Sequence, residues 1–312
     1  MKRRVALIGR TGLAVSCLYT VLRAGDDIVA VIPDAGDDGT DGWQPSLRGA
    51  AERAELPIIG APNVNDPAFV TQLAQLRPDF LLSFQAAPIL RAPLIATARI
   101  AALNLHYGPL PRYRGVSPIA WALLNGEQAH GVTLHVIEPG IDSGPIVDGR
   151  SVSIDPGDTG RSLYDRCVEA GIALFREAWP VVREQERIEA RPQDDDASLY
   201  YNRWALDFSD RRIRWTDDCV LVANRIRALI FPPFQYPEFA TESGGECRVG
   251  AVAWDRQPHR GRPGEVLAVA GDVVTVAAPG GRILLREVAV DQSVLTGEGL
   301  LAVGVVPGST LG

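Results

Sequence analysis

Two short apolar runs, at residues 5–8 and 28–32, and two mostly apolar strand-like runs, at 80–84 and 101–105, alternate with stretches of helical periodicity. One helical stretch runs up to Leu22, others cover 47–54 and 66–76, and another spans 89–97 around Pro93; residues 57–59 add a short strand. An apolar run too short for a helix and bounded by turn residues reads as a strand buried on both faces. Strands alternating with helices at this spacing predict an α/β architecture, a parallel sheet covered on both faces. In such sheets ligands bind beyond the carboxyl ends of the strands. Asn104, Leu105 and His106 lie where the fourth strand gives way to a loop, so that rule singles them out.

Further along, residues 118–125 read as a helix, 131–136 and 146–154 as strands, and Asp158-Thr159 as the N-cap of a long helix over 161–185. Residues 192–196, Pro-Gln-Asp-Asp-Asp, are polar and unpatterned and read as an inter-domain linker. The chain then changes character. One helix at 219–229 is stopped by Pro232-Pro233, and short runs follow at 248–254, 265–270, 273–277 and 283–290. Gly271-Asp272 and Gly280-Gly281 are hairpin-type turns, so this part predicts a small antiparallel sheet or barrel. A chain of 312 residues has room for two domains of about 150 residues. The boundaries fall at 1–190 for the first domain, 191–204 for a linker and 205–312 for the second.

Composition narrows the function classes. No uncharged apolar run reaches the ~18–20 residues of a membrane helix. The opening, Met1 to Arg10, starts like a signal peptide, but its apolar stretch stops at Arg10 and reads as the first strand. Cys17, Cys167, Cys219 and Cys247 are far apart and form no Cys-x-x-Cys pair. Neither a zinc site nor a disulfide framework is expected, and the expected compartment is the cytoplasm. A net charge of −7 argues against broad attachment to nucleic acid. Lys2 is the sole lysine, so the body of the chain offers no Schiff-base or phosphate-loop lysine.

The chemistry concentrates in Asn104-Leu105-His106-Tyr107-Gly108-Pro109-Leu110-Pro111-Arg112-Tyr113-Arg114-Gly115, and in Gly140-Ile141-Asp142-Ser143-Gly144. Residues i and i+2 of a strand share a face, so Asn104 and His106 can meet one ligand. Asn supplies an uncharged donor for a developing oxyanion. His moves a proton near neutrality. Asp142, on a tight glycine-flanked loop, can orient the imidazole and favour its charged form. This is acyl-transfer equipment with no Ser or Cys in an obvious nucleophile elbow. His130 and His135 read as packing or surface residues, and His259, in a basic, Pro-rich loop, as exposed. Gly9-x-x-Gly12 lacks the spacing of a dinucleotide fingerprint and reads as a tight strand-to-helix turn. Arg112 and Arg114 are equally suited to an anionic ligand or to surface ion pairs.

At these residues the chain resembles the formyltransferase family that uses 10-formyltetrahydrofolate. The shared pattern is Asn104-x-His106, the loop 110–115 as Leu-Pro-x-Tyr-x-Gly, and Asp142 in an Asp-x-Gly turn. The likeness extends through 121–133 and through Trp215, the run 225–229 and Pro232-Pro233. It implies a Rossmann-like, mostly parallel sheet with helices on both faces, then a small OB-like antiparallel β-barrel. It implies Asn104, His106 and Asp142 as catalytic, with His106 as general base and acid. It implies 10-formyltetrahydrofolate as co-substrate, held by Phe84, Gln85, Ala86, Ala87, Ile89, Leu90, Leu103, Val136 and Ile141, and no metal. Tyr107, Gly108, Pro109, Arg112, Tyr113 and Arg114 are placed around the acceptor. The sequence departs from many members in Tyr107-Gly108-Pro109 after the histidine, and in the small Ala86 and Ala87 where bulkier residues are common.

The family formylates amines on several acceptors. Residues 34–41 carry four aspartates and no basic residue, and 205–312 hold 11 Arg against 13 Asp and Glu, 11 − 13 = −2. Both features disfavour tRNA, so the expected acceptor is a small amine, a nucleotide-linked amino sugar or a natural-product amino acid. The alternatives are a methionyl-tRNA formyltransferase and a formyltetrahydrofolate hydrolase. The oligomeric state is left open.

Overall fold

The computed structural model describes residues 2–60, 62–291 and 293–312. Its contacts divide the chain into two compact units, the first made of Met1–Val116, Gly131–Val152 and Arg166–Tyr201, the second of Ser117–His130, Ser153–Asp165 and Asn202–Gly312. In chain order the elements are β1 (Arg4–Gly9), α1 (Thr11–Arg23), β2 (Asp27–Pro33), α2 (Leu47–Arg53), α3 (Pro67–Gln75), β3 (Phe80–Phe84), α4 (Ala92–Ile95), β4 (Ala101–His106), β5 (Arg114–Gly115), α5 (Pro118–Leu124), β6 (Ala129–Val136), β7 (Ile146–Ser153) and α6 (Gly160–Val182). They continue as β8 (Tyr200–Tyr201), α7 (Cys219–Leu229), β9 (Glu238–Ala240), β10 (Glu246–Asp255), β11 (Val266–Ala270), β12 (Val273–Ala278), β13 (Gly281–Val290), β14 (Ser293–Val294) and α8 (Gly297–Ala302), with one 3-10 turn at Asp195–Ala197.

The first unit is built on a six-stranded sheet in the order β2-β1-β3-β4-β6-β7. β1 runs parallel to β2 and β3, and β3 parallel to β4, whereas β6 is antiparallel to β4. β3 is buried along its whole length, Ser83 included, as a strand in a sheet covered on both faces requires. Gly9 ends β1 so close to β3 that a Cβ there would lie 2.2 Å from the Phe84 carbonyl oxygen. The Arg10 amide donates to that oxygen and α1 begins one residue later, so Gly9-x-x-Gly12 is a strand-to-helix turn.

Two expected elements shrink. The helix expected over 89–97 is only Ala92–Ile95, because Asn65 bonds both the Ile89 carbonyl and the Arg91 amide and holds 89–91 against a loop. The strand expected at 57–59 is a single bridge from Ile58 to Val31. The long helix starts at Gly160, where Thr159 and Ser162 exchange capping bonds, and ends at Val182.

Asp26 is the polar anchor of the first unit. Its side chain is 0% exposed and accepts from the Arg3 amide, Trp179 Nε1 and the Arg183 guanidinium at 2.6–3.0 Å. Removing one partner of a buried charged network leaves the others desolvated and unpaired. Asp26→Ala is therefore expected to lower unfolding free energy by about 3–5 kcal/mol, as a lower urea midpoint at unchanged slope.

In the second unit an antiparallel sheet runs β11-β12-β13-β10-β9, with β14 beside β13. Backbone bonds pair Gly312 with Ala240 of β9, and Gly308 and Ser309 with Val266 of β11. Residues 308–312 thus bridge the two edge strands and close the sheet into a small barrel. Trp215, Phe239, Val249, Val274, Ile283 and Leu285 fill its core. His259, expected to be exposed, is pinned by Nε2 to the carbonyls of Ala278 and Gly281. All four cysteines are buried free thiols, and burial pushes Cys167 up to about 12, so none is set up as a thiolate nucleophile. Among the described residues no helix is long and apolar enough to cross a membrane.

Candidate active site

The register of β4 against β6 builds the site. His135 lies opposite Asn104 and Thr133 opposite His106. Paired residues share a sheet face, and so do i and i+2, so all four side chains project from one face at the carboxyl end of β4. Thr133 then shapes the loop. Its hydroxyl donates to the Gly108 carbonyl at 2.7 Å and accepts from the Leu110 amide at 3.2 Å. The curled loop brings the Tyr113 carbonyl to 2.7 Å from His106 Nε2. Gly108 is required beside that ring, since a Cβ there would stand 2.7 Å from Nε2.

A carbonyl only accepts, so His106 Nε2 carries the proton in that bond. In the neutral ring Nδ1 is then the lone-pair nitrogen, and Nδ1 is the atom that faces Asp142 Oδ2 at 3.5 Å. The same reasoning fixes the second histidine. His135 Nδ1 donates to the Val136 carbonyl at 2.8 Å, which leaves Nε2 to accept from Asn104 Nδ2 at 3.1 Å in the neutral ring. That bond orients the amide and leaves the second hydrogen of Nδ2 for a ligand oxygen. His135, read from the sequence as packing or surface, thus bonds one of the three expected catalytic residues and lies 3.5 Å from another, Asp142 Oδ1.

Asp142 sits on the loop between β6 and β7 with φ +50°, a left-handed conformation uncommon for a residue with a side chain. Its Oδ2 accepts from the Gly115 amide at 2.9 Å. Burial disfavours its charge, but the His106 and His135 rings and the Gly115 amide outweigh burial and hold the carboxyl well below the usual carboxylate range. A depressed folded value makes this group stabilising above its unfolded value of about 3.9, with the benefit lost as pH falls through the folded value. The difference in urea midpoint between the native protein and Asp142→Asn should therefore narrow as pH drops from about 6 towards 3. A gap constant over that range would contradict the assignment.

The other expected site residues divide by burial. Phe84, Leu90 and Leu103 are core side chains and would meet a ligand through backbone at most. Ala86 packs beside the core cluster that holds Leu90 and Leu94. Gln85, at φ +54°, accepts from the Thr11 hydroxyl at 2.6 Å. Ala87 and Ile89 are exposed, Val136 is half-buried at the end of β6, and Ile141 is exposed beside Asp142. Tyr107 and Tyr113 are buried, and Gly108 and Pro109 form the loop that carries them, so these four shape the His106 loop. Arg112 is exposed with its guanidinium over the Tyr113 ring. Arg114 is 9% exposed and is committed to Gln193 Oε1 and Asp195 Oδ1, so of the two arginines only Arg112 presents its charge at the surface.

Residues 192–196 are more than a tether. Gln193 and Asp195 reach back to the site's own loops, which composition had no means of revealing. Among the described residues no group of three or more His, Cys, Asp or Glu side chains could hold a metal ion.

The geometry sets a histidine beside a bonded carboxylate and an oriented amide donor. The model of the formyl transferase family matches residues 2–179, and that of the formyl transferase C-terminal domain matches 206–302. A methionyl-tRNA formyltransferase from Syntrophus aciditrophicus (strain SB) is 30% identical over 294 residues, 93% of this chain and 92% of that one. Among solved structures, an N-formyltransferase from Helicobacter canadensis, in complex with folinic acid and dTDP-3-aminofucose, is 24% identical. Its TM-score is 0.73, over 92% of this chain and 99% of that one. WlaRD, a sugar 3N-formyl transferase solved in the presence of dTDP and 5-N-formyl-THF, is 23% identical with a TM-score of 0.74, over 92% and 98%. These structural likenesses are likenesses of fold. The family match over more than half of the chain, joined by a relative that parallels nearly its whole length, makes this protein a member of the formyl transferase family.

Proposed function

We propose that the protein moves the formyl group of 10-formyltetrahydrofolate onto a primary amine of a small molecule, with a nucleotide-linked amino sugar as the first candidate and a natural-product amino acid as the second. The observation that carries the reading is the state of His106, whose Nε2–H is spent on the Tyr113 carbonyl and whose Nδ1 faces Asp142 beside the Asn104 amide. The amine nitrogen attacks the formyl carbon, and the carbonyl oxygen takes up negative charge. The free hydrogen of Asn104 Nδ2 stabilises that oxygen. His106 Nδ1 accepts the proton shed by the amine and delivers it to the departing folate nitrogen as the old C–N bond breaks. The Asp142 carboxylate faces the Nδ1 that carries the proton between those steps.

The ends of the strands offer a place for folate. Phe84 at the end of β3 pairs with Leu105 between Asn104 and His106, and Val136 at the end of β6 follows His135, so the backbone leaving these two strand ends is the expected folate contact. Folinic acid in one protein of this fold and 5-N-formyl-THF present with another support a folate co-substrate.

For the acceptor, one of these proteins is in complex with dTDP-3-aminofucose and the other is a sugar 3N-formyl transferase solved with dTDP, whereas the relative from Syntrophus aciditrophicus is named for methionyl-tRNA. Charge favours the small amine. Despite partial burial, Asp37 is held below the usual carboxylate range by the Ser46 hydroxyl and the Arg48 amide, so this residue of the 34–41 loop stays anionic. Phosphate backbones are repelled by such surface. In this reading the chemistry belongs to residues 1–190, and 205–312 contribute no catalytic group.

The test is incubation with 10-formyltetrahydrofolate and a panel of amino-sugar nucleotides, amino acids and aminoacylated initiator tRNA, read by mass spectrometry. One small amine is expected to gain a single formyl group, with no tight, salt-sensitive binding to tRNA. Preferred formylation of the tRNA would overturn the acceptor assignment and leave formyl transfer intact.

A further inference from the structure

The segment that follows α6 returns to the site as a strap. Its backbone bridges Arg191 to Ile146 at one end and pairs Leu199 and Tyr201 with Arg114 and Val116 at the other. Between those anchors, Gln193 makes four hydrogen bonds. Its Nε2 donates to the carbonyls of Asp142 at 2.8 Å and Gly144 at 2.7 Å. Its Oε1 accepts from Arg114 Nε at 3.0 Å and Arg114 Nη2 at 2.8 Å. Carbonyls only accept and a guanidinium only donates, so the network permits one amide orientation and satisfies it completely.

We propose that Gln193 is the positioning residue for Asp142. The Asp142 loop has a strained left-handed residue at its tip, and such a conformation persists only where its surroundings over-determine it. Gln193 supplies that restraint from outside the loop. It clamps the carbonyls on both sides of Ser143, and through Arg114 it fixes the strand whose next residue, Gly115, donates to Asp142 Oδ2. Both ends of the aspartate, its backbone and its carboxylate, are thus referred to one side chain. Without the clamp only the Gly115 amide is left to set the distance from the carboxylate to His106, and a displacement of about 1 Å in such a group costs up to ~10²-fold in rate.

The inference rests on the proposed role of Asp142 beside His106, so it is tested both with and without turnover. Three variants separate the contacts. Gln193→Ala removes all four bonds. Gln193→Glu keeps an acceptor for Arg114 and turns a carboxylate oxygen on the two carbonyls. Asp195→Ala removes only the exposed outer contact to Arg114 and serves as the control. Both Gln193 variants are expected to lower kcat by about 10–10²-fold with KM for 10-formyltetrahydrofolate within about threefold, while Asp195→Ala keeps kcat within about threefold. In protein labelled with ¹⁵N at histidine, the His106 ring resonances of both Gln193 variants should move in the direction seen in Asp142→Asn. Native melting temperature in Gln193→Glu would show that the loss is not unfolding. Unchanged His106 resonances in both Gln193 variants, where Asp142→Asn does shift them, overturn the positioning role alone. If Asp142→Asn leaves the resonances unmoved and kcat unaffected, the reading of Asp142 itself fails, and with it the role of Gln193.

Discussion

His106→Ala is expected to lower kcat for formyl transfer by roughly 10²–10⁴-fold, the usual worth of a positioned general base. Asn104→Ala should cost on the order of 10²–10³, the loss found when one oxyanion donor is removed. In the structure Asn104 and His106 project from adjacent positions of one strand face, and the Asp142 carboxylate lies within 3.5 Å of the His106 ring. Groups that act on one proton and one oxyanion do so as a unit. The double variant His106→Ala/Asp142→Ala should therefore lose little beyond the worse single variant. Strictly additive losses would mean that the two act in separate steps. Urea midpoints of the variants check that the fold survives, and a fall in kcat with KM nearly unchanged places the loss in the chemical step.

Gly144→Ala should be nearly as damaging without touching a reacting group. A Cβ at Gly144 would lie 1.9 Å from the Val136 carbonyl oxygen and 2.9 Å from its carbon, both backbone atoms that no rotamer change can move. The loop that carries Asp142 has to shift or the end of β6 has to yield. Val136 follows His135, so either movement disturbs the ring that orients Asn104. A shift of about 1 Å is enough for a loss near 10²-fold in kcat. Gly149→Ala is the matched control: its nearest neighbour, the Val132 carbonyl oxygen, is 3.4 Å away, ordinary contact distance. Equal activities for the two variants would contradict the rigidity ascribed to the Asp142 loop.

Much of this was legible in the sequence because the signals were local or ordered. The buried strands announced themselves as apolar runs, and the run at 80–84 coincides with β3. The trio is expected from a family resemblance carried by three separated pieces in a fixed order, and the structure sets Asp142 3.5 Å from the His106 ring. What the sequence hid depends on contacts between distant segments. His135 matters because antiparallel pairing sets it opposite Asn104, and nothing within its own neighbours records that pairing. Thr133 shapes the His106 loop by two bonds to residues more than twenty positions earlier. Gln193 lies in a run of polar residues whose composition says only that it is unpatterned. Arg114 shows the converse limit, since its charge left an anionic ligand and an ion pair equally open, and its donors are held by Gln193 and Asp195. The helix expected over 89–97 is shortened to Ala92–Ile95 because Asn65, more than twenty residues upstream, competes for its first turn.

The fate of the formyl carbon tests the central claim most directly. The protein is given 10-formyltetrahydrofolate labelled in the formyl group, with and without the amine acceptor found in the panel, and labelled formate and labelled formamide product are counted against tetrahydrofolate. The account predicts one labelled amine per tetrahydrofolate formed, little formate in either reaction, and loss of the product in His106→Ala. Formate released at the same rate with and without the amine would contradict it and identify water as the acceptor.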